Sequence, residues 1–374
     1  MTEPLEVLVD GEEPAGRRAS AGPSSRLRTE TDAVVVGAIE AVAFGLGALI
    51  VFFGREVPLW GSGLSVGAVA GVAAFIGGLI AAFVGYWRSR ARPEQRWRLE
   101  IPPWKFGLDA TTVALVHAVL AAIFAVAMFV LLQRGFQGLV FDPLIAVAAV
   151  ASVSGASGYL IALSVSDLGT RRLAALLVTF VAVATLTSIA TVADPYWWRD
   201  HFSQLGTADD FSAWMFNTAL VVAGFFVATF SLYLHRDLAA LVARGVLVHR
   251  WAPRFVSVMF IVLGLMLAGV GVFPFDVNVV LHNVCAAGMS AAFAAMVLGS
   301  PAILNGMPKR FFVICYVTFG VLIGGFLLYA PPIAYYNLTA FELVAFAVIF
   351  GWILLFIRFT DAVLAPAAVL GPRG

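Results

Sequence analysis

Ten apolar stretches, each about as long as a bilayer-crossing helix, dominate this chain and leave it few possible folds. They fall at about 33–53, 64–87, 111–133, 142–165, 171–193, 213–234, 255–273, 278–299, 310–330 and 338–358. A bilayer core takes roughly 20 apolar residues per helical crossing. Within it the backbone must satisfy its own polar groups, which a helix does inside one segment. A transmembrane β-barrel would instead show strands of about 10 residues with alternating hydrophobicity, and the sequence has no such pattern. The expected fold class is therefore all-α, a polytopic helical membrane bundle. Only 12% of the residues are charged, against about 25% in soluble domains.

Basic residues orient the bundle, because cytoplasmic loops carry the excess of Lys and Arg. With the N-terminus inside, every one of the 23 lysines and arginines except Arg55, Arg134 and Arg199 falls on a cytoplasmic segment. One span more or fewer would scatter them. The expectation is a multi-pass protein of the cell membrane with both termini cytoplasmic. A net charge of +1 gives nucleic-acid binding no support. Cys285 and Cys315 both lie inside apolar runs and read as small core packers.

Residues 1–32 are polar and rich in Pro, Gly and Ser, and read as a disordered cytoplasmic tail. A four-span part follows over 33–165, then a six-span part over 166–361 and a short tail over 362–374. The connector after the second span holds Arg88, Arg90, Arg92, Arg96 and Arg98. Such a cluster suits anionic lipid headgroups, or simply sets topology. Glu40 in the first span and His117 in the third lie at matching depth. Ionisable groups inside a membrane are costly and turn to a protein interior, so the two form a candidate intramembrane pair.

The longest polar interruption of the second half runs from Asp194 to Asn217, DPYWWRDHFSQLGTADDFSAWMFN. Its tryptophans suit an aromatic belt. Thr207-x-x-Asp210 has the capping-box pattern, which would start a helix there and put Asp210, Trp214 and Asn217 on one face. That leaves His201, Ser203 and Gln204 without a role. Two further outer connectors carry polar groups. Asp276 sits in GVFPFDVN with His282 and Asn283 just beyond it, and Tyr335, Tyr336 and Asn337 precede Glu342. The candidate substrate-binding residues are His201, Ser203, Gln204, Asp210, Trp214, Asn217, Asp276, His282 and Asn283. No HExxH or comparable ligand spacing marks a metal site, and no Gly-x-Ser-x-Gly surrounds Ser203. No cofactor is expected, and whether the protein is an enzyme stays open.

The segment HFSQLG…FSAWMFNTALVVAG, followed by GVFPFD and LHN, resembles the bacterial membrane family catalogued as domain of unknown function 998, over roughly 171–360. The same pattern is similar to FRAG/DRAM-type membrane proteins, some of which act in lipid-anchor remodelling or autophagy. The resemblance marks Ser203, Leu205, Gly206, Phe216, Asn217, Phe273, Pro274 and His282. Where the family pattern has Ile-Ser-Asp-Leu-Gly this chain has Phe-Ser-Gln-Leu-Gly, so Gln204 replaces an acid.

Three functions fit these features. The first is binding or processing of a lipid or lipid-linked substrate at the outer leaflet, through the 194–217 loop. The second is a non-enzymatic partner or stabiliser of a membrane complex. The third is a small-molecule transporter. The expected partners are the lipid bilayer, a lipid substrate and a membrane protein.

Overall fold

A computed structural model of the protein describes residues 23–166 and 168–364. Ten of its helices are long and apolar enough to cross a membrane. They are α1 (Pro23–Val51), α2 (Val66–Ser89), α3 (Pro103–Gly135), α4 (Pro143–Ser166), α5 (Thr170–Thr191), α6 (Phe211–Ala243), α7 (Ala252–Val272), α8 (Val279–Ile303), α9 (Lys309–Tyr329) and α10 (Leu338–Leu364). Short 3-10 turns and one two-residue strand pairing, Val57–Pro58 with Val140–Phe141, complete the regular structure among the described residues. The protein is an all-α polytopic membrane bundle.

Helix starts differ sharply between the two ends of the bundle. At α2, α4, α6, α8 and α10 a side-chain oxygen caps the first turn: Ser65 Oγ accepts from Ala68 N at 3.3 Å, Asp142 Oδ1 from Leu144 N at 2.9 Å, Asp210 Oδ1 from Ala213 N at 2.9 Å, Asn278 Oδ1 from Leu281 N at 3.0 Å and Asn337 Oδ1 from Ala340 N at 2.9 Å. Such caps satisfy backbone donors that a helix leaves unpaired at its start. By contrast α3, α5, α7 and α9 begin after Pro102, Gly169, Trp251 and Pro308, none of which makes a side-chain cap. Alternation puts the capped starts together at one end, here called the loop end.

α1 lies against α4 and α2, α2 against α3, and α6 against α7. The α6–α7 crossing is the tightest for a plain steric reason. A Cβ added at Gly224 would sit 2.4 Å from the Gly264 carbonyl oxygen, and one at Gly264 equally close to the Gly224 oxygen. Small residues are what let two membrane helices approach this far. One apolar core runs from α2 and α3 through α5 to α10, so it crosses the 165/166 boundary between the expected front and rear parts. A second, smaller cluster around Phe52, Leu59 and Phe129 fills the loop end of the front helices. Cys315 is fully buried and accepts from Trp352 Nε1 at 3.4 Å, in keeping with a packing role.

Three expectations need correction. First, helix α1 begins at Pro23, so residues 23–32 are helical rather than an irregular tail. Residues 1–22 and 365–374 of the two expected tails lie outside the described residues.

Second, α3 and α6 each run for 33 residues, well past the apolar stretches that marked them. Polar residues in the added turns find neighbours: Thr170 Oγ1 donates to Asp237 Oδ2, and the Tyr86 hydroxyl donates to Asp109 Oδ2, although Asp109 Oδ1 is left without a partner. The Tyr233 hydroxyl reaches the same Asp109 oxygen at 3.2 Å.

Third, Arg98, counted with the arginines facing headgroups, is 1% exposed. Its guanidinium donates to Ser89 Oγ at 2.6 Å and the Leu168 carbonyl at 3.0 Å, and lies 4.4 Å from the centre of the Tyr86 ring. A buried cation requires such partners.

Candidate functional site

The site forms where the α5–α6 loop meets the starts of α8 and α10. The loop is pinned by an aromatic anchor in the short turn Phe202–Gly206. The Phe202 ring stands edge-on to Phe216 of α6 at 5.1 Å and to Phe346 of α10 at 5.4 Å. Three polar ties hold the backbone around it. Phe202 N donates to Glu342 Oε2 at 2.6 Å, Asn337 Nδ2 to the Trp198 carbonyl at 2.6 Å, and Asn217 Nδ2 to the Gly206 carbonyl at 2.8 Å. Gly206 is the residue that fits this last place, because a Cβ there would meet Asn217 Oδ1 at 2.4 Å.

With Phe202 anchored, Ser203 is presented to α8. His282, in the first turn of α8, is 5% exposed. Its Nδ1 lies 2.9 Å from the Phe273 carbonyl oxygen and its Nε2 lies 3.1 Å from Ser203 Oγ. A carbonyl can only accept, so this network assigns the proton to Nδ1 and leaves the Nε2 lone pair to the serine hydroxyl. His201 completes the cluster by lying on Phe275 at 4.2 Å, and Phe275 stands at 88° to His282 at 5.7 Å. Burial pulls the His201 pKa below its usual value; the nearby His282 adds to this and Asp200 opposes it.

The structure thus brings together His201, Ser203, Asn217 and His282 from three chain segments. The other candidates fall elsewhere. Asp210 caps α6, its second oxygen accepting from Ala193 N at 3.3 Å, so it works as a splice in the backbone. The helix starts at Phe211 and not at Thr207, whose hydroxyl instead donates to the Gln204 carbonyl at 3.0 Å. That later start turns Asp210 back on its own first turn and breaks the expected common face with Asn217. Trp214 is 60% exposed, and Asp276 and Asn283 are exposed as well. Gln204 is half-buried beside Ser203 in sequence.

Glu342 and Asn337 belong to the site and were not among the candidates. Their signal was a carboxylate and an amide flanking the start of an apolar span. The Phe273 carbonyl had no side-chain signal at all.

Glu40 and His117 do not meet. The His117 ring nitrogens are taken by the Val113 carbonyl at 2.8 Å and Ser164 Oγ at 2.9 Å, while Glu40 Oε2 has no hydrogen-bond partner. The reason is packing: α1 lies on α4 and α2, away from the His117 face of α3. Among the described residues no group of three His, Cys, Asp or Glu is placed to hold a metal ion.

Chemically, a serine hydroxyl facing an imidazole lone pair is the arrangement that lets a base take the serine proton. Here a backbone carbonyl orients the ring where a carboxylate would do so in a full triad. No curated protein and no solved structure matched the chain. Residues 173–358, from α5 to α10 and including the whole of this cluster, match the family described as Protein of unknown function (DUF998).

Proposed function

We propose that the loop end of α5 to α10 faces the outer leaflet and binds and processes a lipid or lipid-linked substrate. The observation that carries this reading is the Ser203–His282 hydrogen bond, with His282 held in one tautomer by the Phe273 carbonyl. Exposed Trp198, Trp214 and Tyr335 surround the loop with amphipathic rings, which suit a substrate that is part apolar and part wet. The resemblance to FRAG/DRAM-type proteins supports the same reading. Both chain termini are then cytoplasmic. The test is comparative lipidomics of a deletion strain complemented with wild type, Ser203→Ala or His282→Ala. A species that accumulates on deletion and clears only with wild type is the expected result. An unchanged profile in every strain refutes it.

A second reading is favoured by the three polar ties on the loop, which hold it as a fixed surface. On this reading the loop docks a membrane protein. Glu342→Ala would then abolish co-purification of a specific protein and leave lipids unchanged.

A further inference from the structure

Glu40 is a buried carboxyl with an unpartnered oxygen. It is 6% exposed, and its Oε2 has no hydrogen-bond partner. It stands at the middle of the span Leu27–Val51. Gly77 of α2 and Gly158 of α4 form its walls: a Cβ on either would lie 2.5 Å from Oε2. Both glycines therefore clear space for a carboxyl, and neither offers it a donor. Phe44 closes the slot along α1, 2.9 Å from the place of a Gly77 Cβ.

No charge lies nearby to compensate. α2 carries only Arg88, at its far end, and α4 carries no charged residue. On α1 itself the nearest charged side chain is Asp32, two helical turns or about 12 Å away along the axis. His117 is occupied by Val113 and Ser164. An isolated carboxylate in an apolar interior is far costlier than a neutral carboxyl. A metal ion would need several oxygen ligands, and the slot supplies one side chain and two stretches of helical backbone whose carbonyls are already bonded.

We propose that Glu40 is a proton-binding site inside the membrane, built by α1, α2 and α4. The carboxylate takes one proton from water to become a neutral carboxyl, and the reverse step returns it. α1 lies at the edge of the bundle, with Ile39, Val42 and Leu46 turned outward. This site lies outside the matched segment and is independent of the Ser203–His282 cluster.

The test uses dicyclohexylcarbodiimide on the full-length protein in native membrane vesicles, with peptide mapping by mass spectrometry. The carboxyl proton passes to a carbodiimide nitrogen, the oxygen adds to the central carbon, and an acyl shift leaves an N-acylurea that retains the whole reagent. The expected result is a labelled Glu40 peptide, with labelling falling roughly tenfold or more between about pH 6 and about pH 9. Glu40→Gln abolishes that label, and Gly158→Ala reduces it by crowding the slot. An unlabelled Glu40 in the wild-type protein at acidic pH overturns the proposal, as does labelling that ignores pH. Protection by sodium ions at constant pH also overturns it, in favour of a cation. The wild-type map alone decides the question, so it does not depend on any variant folding.

Discussion

His282 Nε2 lies 3.1 Å from Ser203 Oγ although 79 residues separate the two in the chain. If the pair acts as one unit, removing either member removes the whole effect, as coupled residues do. Ser203→Ala, His282→Ala and the double change are therefore expected to give the same lipid profile in complemented cells, with no further loss in the double variant. Stability should separate them. His282→Ala strands both the Phe273 carbonyl and the Ser203 hydroxyl and should cost about 1–3 kcal/mol, whereas Ser203→Ala should cost about 1 kcal/mol. Thermal unfolding in detergent measures the difference.

Glu342→Ala takes away the acceptor that Phe202 N reaches at 2.6 Å. The expected cost is about 1–3 kcal/mol, concentrated in the loop. Hydrogen exchange over 197–206 should speed up while α6 and α7 keep their protection. Uniform loss of protection through the bundle would contradict this local role.

The lowered pKa of His201 makes the loop sensitive to acid. Its folded value lies below the unfolded value of about 6.5, so the folded loop binds fewer protons than the unfolded one. Its stabilising contribution is complete above about pH 6.5 and is lost as pH falls through the lowered value. Loop protection measured by hydrogen exchange should fall between about pH 7 and about pH 5 in the wild type. His201→Gln should flatten that dependence.

Gly224→Ala drives a methyl group into the Gly264 carbonyl, 2.4 Å away. Overpacking of this kind costs about 1–3 kcal/mol. The midpoint of thermal unfolding should drop for Gly224→Ala and for Gly264→Ala. The double variant should fall short of the sum, because one outward shift of α7 relieves both contacts.

The bundle itself was legible in the sequence because lipid imposes a length on every crossing, and ten runs of that length stand out. Helix ends were less legible. Asp109 and Asp237 look like stop signals, and only their distant partners, Tyr86, Tyr233 and Thr170, let the helices run on. Arg98 looked like a surface charge for the same reason: its partners Ser89 and Leu168 are supplied by the fold. In the candidate site, local chemistry picked out His201, Ser203, Asn217 and His282. It also picked out Asp210, Trp214, Asp276 and Asn283, because residue type alone does not tell a cap or an exposed side chain from a site. The role of Glu342, and that of the backbone carbonyl of the already marked Phe273, became visible only when the helix ends were placed beside the loop.

Helix α10 is fastened at both ends. Near its start, Glu342 accepts from Phe202 N of the loop, and at its last described residue the Leu364 carbonyl accepts from Arg244 NH1 at 2.5 Å. Glu342 and Leu364 are 22 residues apart on this helix, about 33 Å along its axis, close to the thickness of a bilayer core. A rod held this way behaves as a lever: tilting it about its middle carries its two ends in opposite directions. The turn after α6 and the Ser203 loop are thus tied to the two ends of one rigid element, α10.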